Sequence, residues 1–443
     1  MQAQTATVEF SPGYKAYRLV RSRKFKDAVA LLDDILLEEP NRADLWVNRG
    51  VALQALYRLE EAIASFNRAL LCRHDDVGAI INRGAVYGWL GRYTEALRNY
   101  DRAVALEPNN EAARLGRGVI LSSVGRFNDA LADANYVLAQ NVASGGAHYN
   151  KALVLLSLGN YEEGFREHEW RFGTNAILGH HRFRQPVWCG EKTNKHILVH
   201  CEQGLGDSLQ FCRYLPLMKE RGLNVIVEAP AALVRLFKQF GLPIVKRDDS
   251  LPEFDLHVPM MSLAAVFGTK LNTVPFKDGY LATDQAWDGI ATLPGKKIGL
   301  SWSSGIRPEQ PIAVAMQERK SLRRADLEPL WALPNISWVS LQKDTPRDGI
   351  PTELIDLMPS VTDLADTAAV IKELDLVITA DSAVAHLAGA LGVPGWVLNR
   401  YDICWRWKSG EALSPWYNCA KVYRQSAPGQ WGDVIQNVVE DLL

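Results

Sequence analysis

The sequence has little that would assign the protein to a membrane or to nucleic acid. No apolar run approaches the roughly 20 residues that a membrane-spanning helix needs. The first residues, MQAQTATVEF, lack the basic head and apolar stretch of an export signal. Basic and acidic residues nearly balance, at 49 and 51 with a net charge of -2, so no positive excess favours nucleic acid. We therefore expect a cytoplasmic protein.

Cysteine is also scarce. Six cysteines in 443 residues form no Cys-x-x-Cys pair and have no histidine at the spacing of a zinc ligand. We interpret them as reduced structural thiols, and we interpret the adjacent His180 and His181 as structural too, because neighbouring side chains rarely point at one ion. The sequence therefore predicts no metal site and no resident cofactor. The cysteines are Cys72, Cys189, Cys201, Cys212, Cys404 and Cys419.

What the sequence does have is a period of 34 residues in its first part. Small residues recur at this step, where the two helices of one unit would cross. They are Ala28, Ala62, Ala96 and Ala130 in one helix and Gly50, Gly84, Gly118 and Ala152 in the preceding helix. The pattern resembles the tetratricopeptide repeat. The resemblance implies about five helix pairs over residues 1–172, stacked into a superhelix whose concave face usually binds extended peptide.

One polar position follows the same period. Asparagine stands at Asn48, Asn82 and Asn150, and Gly116 takes the place between the last two. A side-chain amide offers both a donor and an acceptor, which suits a peptide backbone of any sequence. The arrangement resembles the asparagine ladder of the O-GlcNAc transferases, so we predict that these residues bind an acceptor polypeptide. The alternative is that the amides only tie neighbouring repeats together.

After a connector at residues 173–195, short apolar strands alternate with helices. This pattern starts at His196 and starts again after Pro294 and Gly295, which predicts two Rossmann-like halves at residues 196–290 and 291–443. Ligands of parallel sheets bind at the carboxyl ends of the strands, so we expect a cleft between the halves. The amphipathic tail from Trp431 is expected to form a helix that returns across the first half.

The most informative stretch is residues 374–398. A strand rich in β-branched residues ends at Ala380, and a helix of small side chains begins after Asp381 and Ser382. Such a helix start, with free backbone N–H groups and the positive end of the peptide dipole, can hold a phosphate. The simpler alternative is that Asp381 or Ser382 only caps a core helix.

A second strand, turn and helix lies upstream, with EQGLGD at residues 202–207. As a dinucleotide fingerprint the turn is weak, because Leu209 occupies the third glycine position. Asp207 can instead be a structural carboxylate that the helix dipole favours. The third interpretation makes Asp207 a general base at the mouth of the cleft, opposite the anion site.

The second part as a whole resembles the glycosyltransferase family of the ADP-heptose heptosyltransferases, family 9. The motifs that carry the resemblance are EQGLGD at 202–207, IGLSW at 298–302, RKS at 319–321, DSAVAHLAG at 381–389, WRW at 405–407, SPWY at 414–417 and RQ at 424–425. The resemblance implies an α/β GT-B module of two Rossmann-like halves after the α-helical superhelix. It also implies inverting, metal-independent transfer from a nucleotide-sugar, with Asp207 as base, Lys320 against the phosphates and Asp381, Ser382 and Ala383 as the donor-binding turn.

Other polar residues at strand and helix ends complete the predicted donor site. Without a metal, the charge of the leaving diphosphate must be met by N–H groups and cations, and Arg406 is a candidate beside Lys320. His386 lies one turn into its helix and can approach the donor, although a core position is an equal alternative. The basic cluster at 319–324 can likewise be a solvated helix end. The further donor candidates are Ser303, Ser304 and Gly305 after one strand and Gln342 and Lys343 after another.

These patterns predict a glycosyltransferase that modifies a Ser or Thr hydroxyl of a polypeptide recruited by the repeats. Bacterial flagellin glycosyltransferases with repeats are one candidate family. The expected partners are a nucleotide-sugar and the acceptor polypeptide. A non-catalytic adaptor with a degenerate transferase domain is the first alternative, and a nicotinamide-dependent oxidoreductase is the second. The sugar, the nucleotide, the acceptor and the oligomeric state do not follow from the sequence.

Overall fold

The computed structural model describes residues 11–173, 183–283, 285–305, 310–343, 351, 354–408 and 412–443. The chain forms two compact units. The first comprises Met1–Gln140 with Arg307–Met316, and the second comprises Asn141–Ile306 with Gln317–Leu443. His180 and His181 lie outside the described residues. In the described parts of the chain, no helix combines the length and apolar character needed to cross a membrane.

The first unit is an array of antiparallel helix pairs. Asp76 and Asn110 cap two of the helices by accepting hydrogen bonds from N–H groups three residues on, and Gly91 and Gly125 adopt positive φ between the helices of a pair. This array confirms the predicted repeats. The helices are α1 (Pro12–Arg21), α2 (Phe25–Glu38), α3 (Ala43–Ala55), α4 (Leu59–Cys72), α5 (Val77–Trp89), α6 (Tyr93–Leu106), α7 (Glu111–Ser123) and α8 (Phe127–Gln140).

The small residues of the 34-residue period lie where helices cross. Ala28, Ala62 and Ala96 are completely buried. A Cβ atom added to Gly50 would lie 2.5 Å from the ring of Phe66, so a larger side chain would have to displace that ring. The spacing of small residues therefore sets how closely the two helices of a pair approach.

The second unit begins with one more helix pair, α9 (Gly145–Ser157) and α10 (Tyr161–His168), and a 3-10 helix at Glu169–Gly173. A parallel sheet of four strands follows, in the order β3-β2-β1-β4. Its strands are β1 (His196–His200), β2 (Asn224–Ala229), β3 (Ile244–Lys246) and β4 (Leu256–Pro259). The helices around it are α11 (Leu205–Phe211), α12 (Leu215–Glu220), α13 (Ala231–Phe237) and α14 (Leu263–Val266).

A second parallel sheet has six strands in the order β10-β9-β8-β5-β6-β7. Its strands are β5 (Lys296–Ser301), β6 (Ile336–Ser340), β7 (Leu354–Asp356), β8 (Leu376–Ala380), β9 (Gly395–Asn399) and β10 (Ala420–Arg424). Its helices are α16 (Glu328–Trp331), α17 (Leu364–Lys372), α18 (Ala383–Ala390) and α19 (Trp431–Leu442). Helix α15 (Pro311–Lys320) begins in the segment grouped with the first unit, and its part from Gln317 belongs to the second unit. Strand β8 is buried along its whole length, as its continuous apolar run predicts for the middle of a parallel sheet. The repeats followed by an α/β part confirm the predicted fold class at that level.

The C-terminal helix departs from the prediction. The apolar face of α19, including Val434 and Ile435, packs against Leu327 and Leu330 beside α16. The return across the first half was therefore a wrong prediction. The physical reason is that Ile298 and its neighbours on the second sheet form an apolar surface that α19 covers.

One apolar core joins the last helix pair to the α/β part of the second unit. Tyr161 and Phe165 of α10 are each 1% exposed. The ring centres of Tyr161 and Trp416 are 5.2 Å apart, and Phe165 meets Phe211 edge to face at 6.0 Å. Aromatic pairs of this kind bury large apolar areas and fix geometry. The last repeat is thus an integral part of the second unit.

Candidate active site

The glycine turn of the first half meets the predicted donor turn of the second half. A Cβ atom built on Gly206 would lie 2.8 Å from Cδ2 of His386 and 3.6 Å from Cα of Ala383. Only glycine leaves room for this approach between backbone and ring. The start of α11, with Asp207, is thereby held against the start of α18.

Asp207 lies in the first turn of α11, and both oxygens of its carboxylate are engaged. Oδ2 accepts a 2.9 Å hydrogen bond from the backbone N–H of Gly204. Oδ1 pairs with Nη2 of Arg406, a residue of the second half. Both side chains stay partly open, with Asp207 at 14% and Arg406 at 17% exposed. The structure thus places the predicted base in direct contact with a predicted phosphate ligand.

Arg406 is carried by the 3-10 turn at Trp405–Trp407. Its guanidinium lies over the ring of Trp405, 4.4 Å from the ring centre. Burial is the largest effect and would lower the pKa of Arg406, but Asp207, Cys404 and Asp381 together outweigh it, and the pKa is raised above its ordinary value. The guanidinium is therefore charged although little of it meets water.

Asp381 follows strand β8 and binds two neighbours. Nε1 of Trp407 donates a 2.7 Å hydrogen bond to Oδ1, and Nζ of Lys320 lies 3.1 Å from Oδ2. Burial alone would raise the pKa of Asp381, but the charges of Lys320 and Arg400 hold it well below its ordinary value. The ionised carboxylate therefore positions both Lys320 and the turn that carries Arg406.

Ser382 caps helix α18. Its Oγ accepts a hydrogen bond from the backbone N–H of Val384 at 3.3 Å and lies 3.2 Å from the hydroxyl of Thr379. This is the capping arrangement that the sequence left open beside the anion site. Ala383 follows as the first residue of the helix, where the positive end of the dipole lies. Phosphate binding by this turn stays a prediction.

His386 has the contacts of a core histidine. Its Nδ1 lies 3.0 Å from the hydroxyl of Tyr417, and its ring stacks on Trp407 at 5.1 Å between ring centres. Burial and, next, the charge of Arg406 lower the pKa of His386 to about 4, so the ring is neutral near pH 7. His386 therefore packs as a core residue, which is the alternative that the sequence left open. A contact with the donor stays a prediction.

The turn after strand β5 is braced by Gln342. Its Oε1 accepts hydrogen bonds from the backbone N–H groups of Trp302 at 3.0 Å and Ser303 at 2.9 Å. Its Nε2 donates to the carbonyl of Lys343 at 3.1 Å. With both ends of the amide engaged, Gln342 holds the shape of the turn, and a contact with base or ribose stays a prediction.

The same turn is tied to the end of the helix that carries Lys320. Oγ of Ser303 lies 3.0 Å from Oγ of Ser321, the residue after the lysine. Ser304 is half-buried and Gly305 is exposed. Lys343 is exposed, and its Nζ lies 3.5 Å from a carbonyl at Val361. The structure therefore brings Ser303 beside Lys320 and directs Lys343 toward the segment before α17.

Sequence reasoning missed an ion-pair group after strand β9. Nε of Arg400 lies 2.7 Å and Nη2 of Arg319 lies 3.5 Å from Oδ2 of Asp402. Asn399 is completely buried, and neither side-chain polar atom has a hydrogen-bond partner among the described residues. Because β8 and β9 are paired parallel strands, these residues share a sheet edge with Asp381. The available signal was the polar run NRYD directly after an apolar strand.

The last repeat contributes a buried arginine to the same unit. Arg171 is completely buried, and its Nε and Nη2 donate to the carboxylate of Glu202 at 2.9 and 2.7 Å. It also donates to Glu169 at 2.6 Å and to Ser262 at 2.7 Å. Burial opposes the charged form, but the two glutamates raise the pKa of Arg171. Glu202 begins the EQGLGD turn, so the last repeat holds the segment that carries Asp207.

Tyr149 of α9 lies at the side of the candidate site. Its ring is 5.5 Å from that of His168, which is 6.5 Å from the ring of Trp405. Burial raises the pKa of the Tyr149 hydroxyl, with a lowering effect from Arg406 and a raising effect from Asp207. Within the described residues, no hydrogen bond engages this hydroxyl. The available signal was a tyrosine at a position of the 34-residue period that is apolar in the three preceding repeats.

The asparagines of the predicted ladder fall in both units. Asn48 and Asn82 belong to the first unit, are half-buried, and form no side-chain hydrogen bond with another described residue. Asn150 belongs to the second unit, next to Tyr149 on α9. At Gly116 an added Cβ atom would lie 2.3 Å from the ring of Tyr100. That ring fills the space, so no amide fits at this step of the ladder.

Ties between the helix pairs of the first unit come from the residue after each asparagine position. Arg49 reaches back to Asp33 at 2.6 Å and also donates to Ser65 at 2.7 Å. The same pattern recurs one period later, from Arg83 to Asn67 and Asn99, and two periods later, from Arg117 to Asp101 and Asp133. The arginines therefore carry the tying role, while the amides of Asn48 and Asn82 stay available to other partners.

The thiols and metal ligands have a simple arrangement. All six cysteines are free, with Cys201 and Cys212 buried. Among the described residues, no three His, Cys, Asp or Glu side chains are grouped as a metal site would require. Whether the reaction is metal-independent stays a prediction.

Two parts of the chain match two different families. The tetratricopeptide repeat profiles match residues 15–76, 79–110 and 121–168. The profile of glycosyltransferase family 9 (heptosyltransferase) matches residues 347–402. The chain therefore joins tetratricopeptide repeats to a region similar to glycosyltransferase family 9. That match includes Asp381, Ser382 and His386, whereas Asp207 and Lys320 lie outside it.

Individual relatives are distant. Protein FlbA of Caulobacter vibrioides is 25% identical over 308 residues, which are 59% of this chain and 49% of that protein. The chain thus spans about half the length of this curated relative. Similar solved structures include YrrB, described as a TPR protein with an unusual peptide-binding site, at 23% identity over 37% of this chain and 84% of that chain, TM-score 0.32. MamA is 16% identical over 38% and 95%, TM-score 0.33, and a tetratricopeptide repeat protein of Parabacteroides merdae is 24% identical over 37% and 64%, TM-score 0.33.

Proposed function

We propose that this protein is an inverting, metal-independent glycosyltransferase with a GT-B arrangement, which moves a sugar from a nucleotide-sugar to a Ser or Thr hydroxyl of a polypeptide bound by the repeats. The observation that supports the proposal is the close approach of Gly206, the residue before Asp207, to Ala383 and His386 at the start of the helix that follows Asp381 and Ser382. A base from one half and an anion-binding turn from the other are what such a transfer needs in one cleft.

The donor side has the charges that a leaving diphosphate requires. Lys320 and Arg406 are cations within the network around Asp381 and Asp207, and Arg400 adds a third. Because these groups are only slightly exposed, their attraction for phosphate oxygens is weakly screened. The start of helix α18 adds the positive end of its dipole. This set can stabilise the negative charge that gathers on the diphosphate as it leaves.

The transfer balances without a further reactant. Asp207 takes the proton of the acceptor hydroxyl while its oxygen forms a bond to the anomeric carbon of the sugar. The bond from that carbon to the diphosphate oxygen breaks, and its electron pair stays with the diphosphate. Attack from the side opposite the leaving group inverts the configuration. Lys320 and Arg406 then hold the charged product until it dissociates.

The acceptor side is supported by the repeats. The amides of Asn48 and Asn82 have no partner within the described residues and can bind a peptide backbone in a sequence-independent way. Asn150 lies on α9 beside Tyr149, and α9 belongs to the unit that contains Asp207. A polypeptide bound along the last repeat is therefore bound by the same body that carries the base. Flagellin is one candidate acceptor, and the cytoplasm is the expected place of reaction.

The test is intact-mass analysis of candidate acceptor proteins. Each is incubated with the full chain and with UDP-, ADP-, GDP- or CMP-linked sugars, and an added mass identifies the acceptor and the class of sugar together. Asp207→Asn should abolish the added mass while a nucleotide still raises the melting temperature. Transfer that survives in this variant would remove Asp207 as the base.

A non-catalytic adaptor is the second candidate, because the pair of Asp207 and Arg406 occupies both groups in the structure. Melting temperatures separate the candidates. Stabilisation by one class of nucleotide-sugar supports the transferase, and stabilisation by none of them supports the adaptor. Stabilisation by NAD alone supports an oxidoreductase instead.

A further inference from the structure

We propose that Arg406 is shared between the base and the donor: Asp207 holds it while the site is empty, and the diphosphate of the donor takes it over and so releases the base. This inference rests on the proposed function, since it concerns the same cleft. It adds a coupling between donor binding and the base: binding of the donor frees the Asp207 carboxylate, so Asp207 can accept the proton of the acceptor hydroxyl once the donor is bound.

The first step of the argument is the state of the carboxylate. Oδ2 of Asp207 is fixed by the backbone N–H of Gly204, and Oδ1 is paired with Arg406. Each contact occupies one acceptor site of its oxygen, and the guanidinium also takes up space beside Oδ1 that an incoming hydroxyl would need. Opening or moving the ion pair therefore frees Oδ1 to act as the base.

The second step is the position of Arg406 relative to the donor turn. Trp407, the next residue, donates to one oxygen of Asp381, and Lys320 binds the other oxygen of that carboxylate. The turn that carries Arg406 is thus anchored to the same side chain that positions the predicted phosphate lysine. A diphosphate that meets Lys320 is adjacent to this turn.

The third step is the competition itself. A guanidinium binds phosphate and carboxylate through the same planar set of N–H donors. A diphosphate carries more negative charge than one carboxylate, and the side chain of Arg406 is 17% exposed. The ion pair of Asp207 and Arg406 in the empty site makes the free energy of donor binding less favourable. By linkage, donor binding weakens the ion pair by the same free energy.

The fourth step concerns the two halves. Asp207 belongs to the first half and Arg406 to the second, so their contact joins the halves. A second ion pair also joins them, between Arg235 of α13 and both Asp363 and Asp366 next to and within α17. This second pair has no part in the candidate site. It supplies a matched control for any effect that comes only from loosening the halves.

The test measures the affinity of the full chain for ADP, UDP and GDP by titration calorimetry. Asp207→Asn removes the negative charge but keeps the size of the side chain, so Arg406 becomes free for the diphosphate. We expect the Kd of the nucleotide that binds best to fall about fivefold or more, within the usual range of coupling between sites. Arg406→Ala should raise the Kd.

The double variant decides the question. If Arg406 is the shared group, Asp207→Asn should have no effect on Kd in an Arg406→Ala background. Equal tightening in both backgrounds would mean that Asp207 simply repels the nucleotide, and the proposal would be overturned. Asp363→Asn, which keeps a capping residue at the start of α17, should leave the Kd unchanged.

The outcomes separate the two proposals. Nucleotide binding that Asp207→Asn does not tighten overturns the shared arginine and leaves the transferase proposal in place. Tightening by Asp363→Asn equal to that by Asp207→Asn also overturns it, because loosening of the halves would then be the cause. If none of the three nucleotides binds the wild type or any variant, the donor site and the shared arginine both fall.

Discussion

The first four helix pairs and the last pair follow the same 34-residue pattern but are packed in different ways. In the first unit, the positions in register with residue 171 are Ile35, Ala69, Ala103 and Val137, all buried and apolar. After the last pair, in the 3-10 helix that continues α10, the same position is Arg171, completely buried and paired with Glu202. The repeat pattern therefore defines the helix pairs. A change of one residue type within the pattern, such as Arg171, ties the last pair to the α/β part.

The same comparison holds at the side of the candidate site. Val47, Ile81 and Leu115 stand where the last repeat has Tyr149. An apolar position of the array has become a phenol whose hydroxyl is not engaged by the described residues. Both departures occur in the pair that shares its core with the α/β part. Departure from the pattern thus coincides with the place where the repeats meet the candidate chemistry.

The largest expected effect comes from cutting the chain on either side of the last pair. A chain that starts at residue 141 keeps α9, α10 and their core, so it should unfold cooperatively and bind nucleotide as the full chain does. A chain that starts at residue 174 loses Tyr161, Phe165 and Arg171 and leaves their apolar partners exposed. It should aggregate or melt without a cooperative transition in calorimetry. Equal behaviour of the two chains would contradict the assignment of the last pair to the second unit.

A smaller effect is expected from Arg171→Met. It leaves Glu202 buried without its partner, which should lower the free energy of unfolding by about 3–5 kcal/mol. Arg49→Met in the first unit breaks a partly exposed pair with Asp33 and a bond to Ser65 but leaves no buried charge behind, so it should cost less, about 1–2 kcal/mol. Denaturant unfolding measures both. Adding Glu202→Gln to Arg171→Met should restore part of the loss, because the unpaired charge is gone.

Tyr149→Phe sharpens the comparison at the site. If the hydroxyl binds the acceptor, the acceptor KM should rise about two- to tenfold, the value of one hydrogen bond, while the donor KM stays unchanged. Tyr136→Phe is the control in the first unit, where the hydroxyl bonds to Asn109 at 2.6 Å. It should leave both KM values unchanged. A rise in the donor KM with Tyr149→Phe would assign the tyrosine to the other substrate.

The smallest effect on stability is expected from Asn48→Ala combined with Asn82→Ala. Neither amide bonds to a described residue, so the free energy of unfolding should change by no more than about 0.5 kcal/mol. The acceptor KM should nevertheless rise, and should rise further with Asn150→Ala. Arg83→Ala, which breaks bonds to Asn67 and Asn99, should do the reverse and lower stability more than affinity. An unchanged KM in the asparagine variants would make the ladder irrelevant to binding.

The sequence predicts the elements well because each has a local cause. The period of small residues sets the helix pairs, and the apolar runs before 202–207 and 381–383 become β1 and β8. The meeting of these two turns also follows from the rule that parallel strands bind ligands at their carboxyl ends. The fold class and the meeting of these two turns are therefore accessible from one sequence.

What the sequence leaves undetermined depends on side-chain pairing over long separations. Arg406 and Asp207 are 199 residues apart, and Arg171 and Ser262 are 91 apart. No local pattern marks such partners, because burial and charge are fixed only when the elements pack. The prediction that α19 returns across the first half was wrong for a related reason. Amphipathicity predicts that a face is buried, but not which of two apolar surfaces buries it.

The shared core of α9, α10 and the α/β part has a consequence for how such proteins can diversify. Among the described residues, the core that contains Tyr161 and Phe165 includes no side chain from the helix pairs before Asn141, so those pairs can change without altering its composition. If the repeats bind the acceptor as proposed, their number can thus change while the candidate site stays intact. The last helix pair is the constant part of the repeats, because it shares its core with the α/β part, whereas the number of pairs before it can vary.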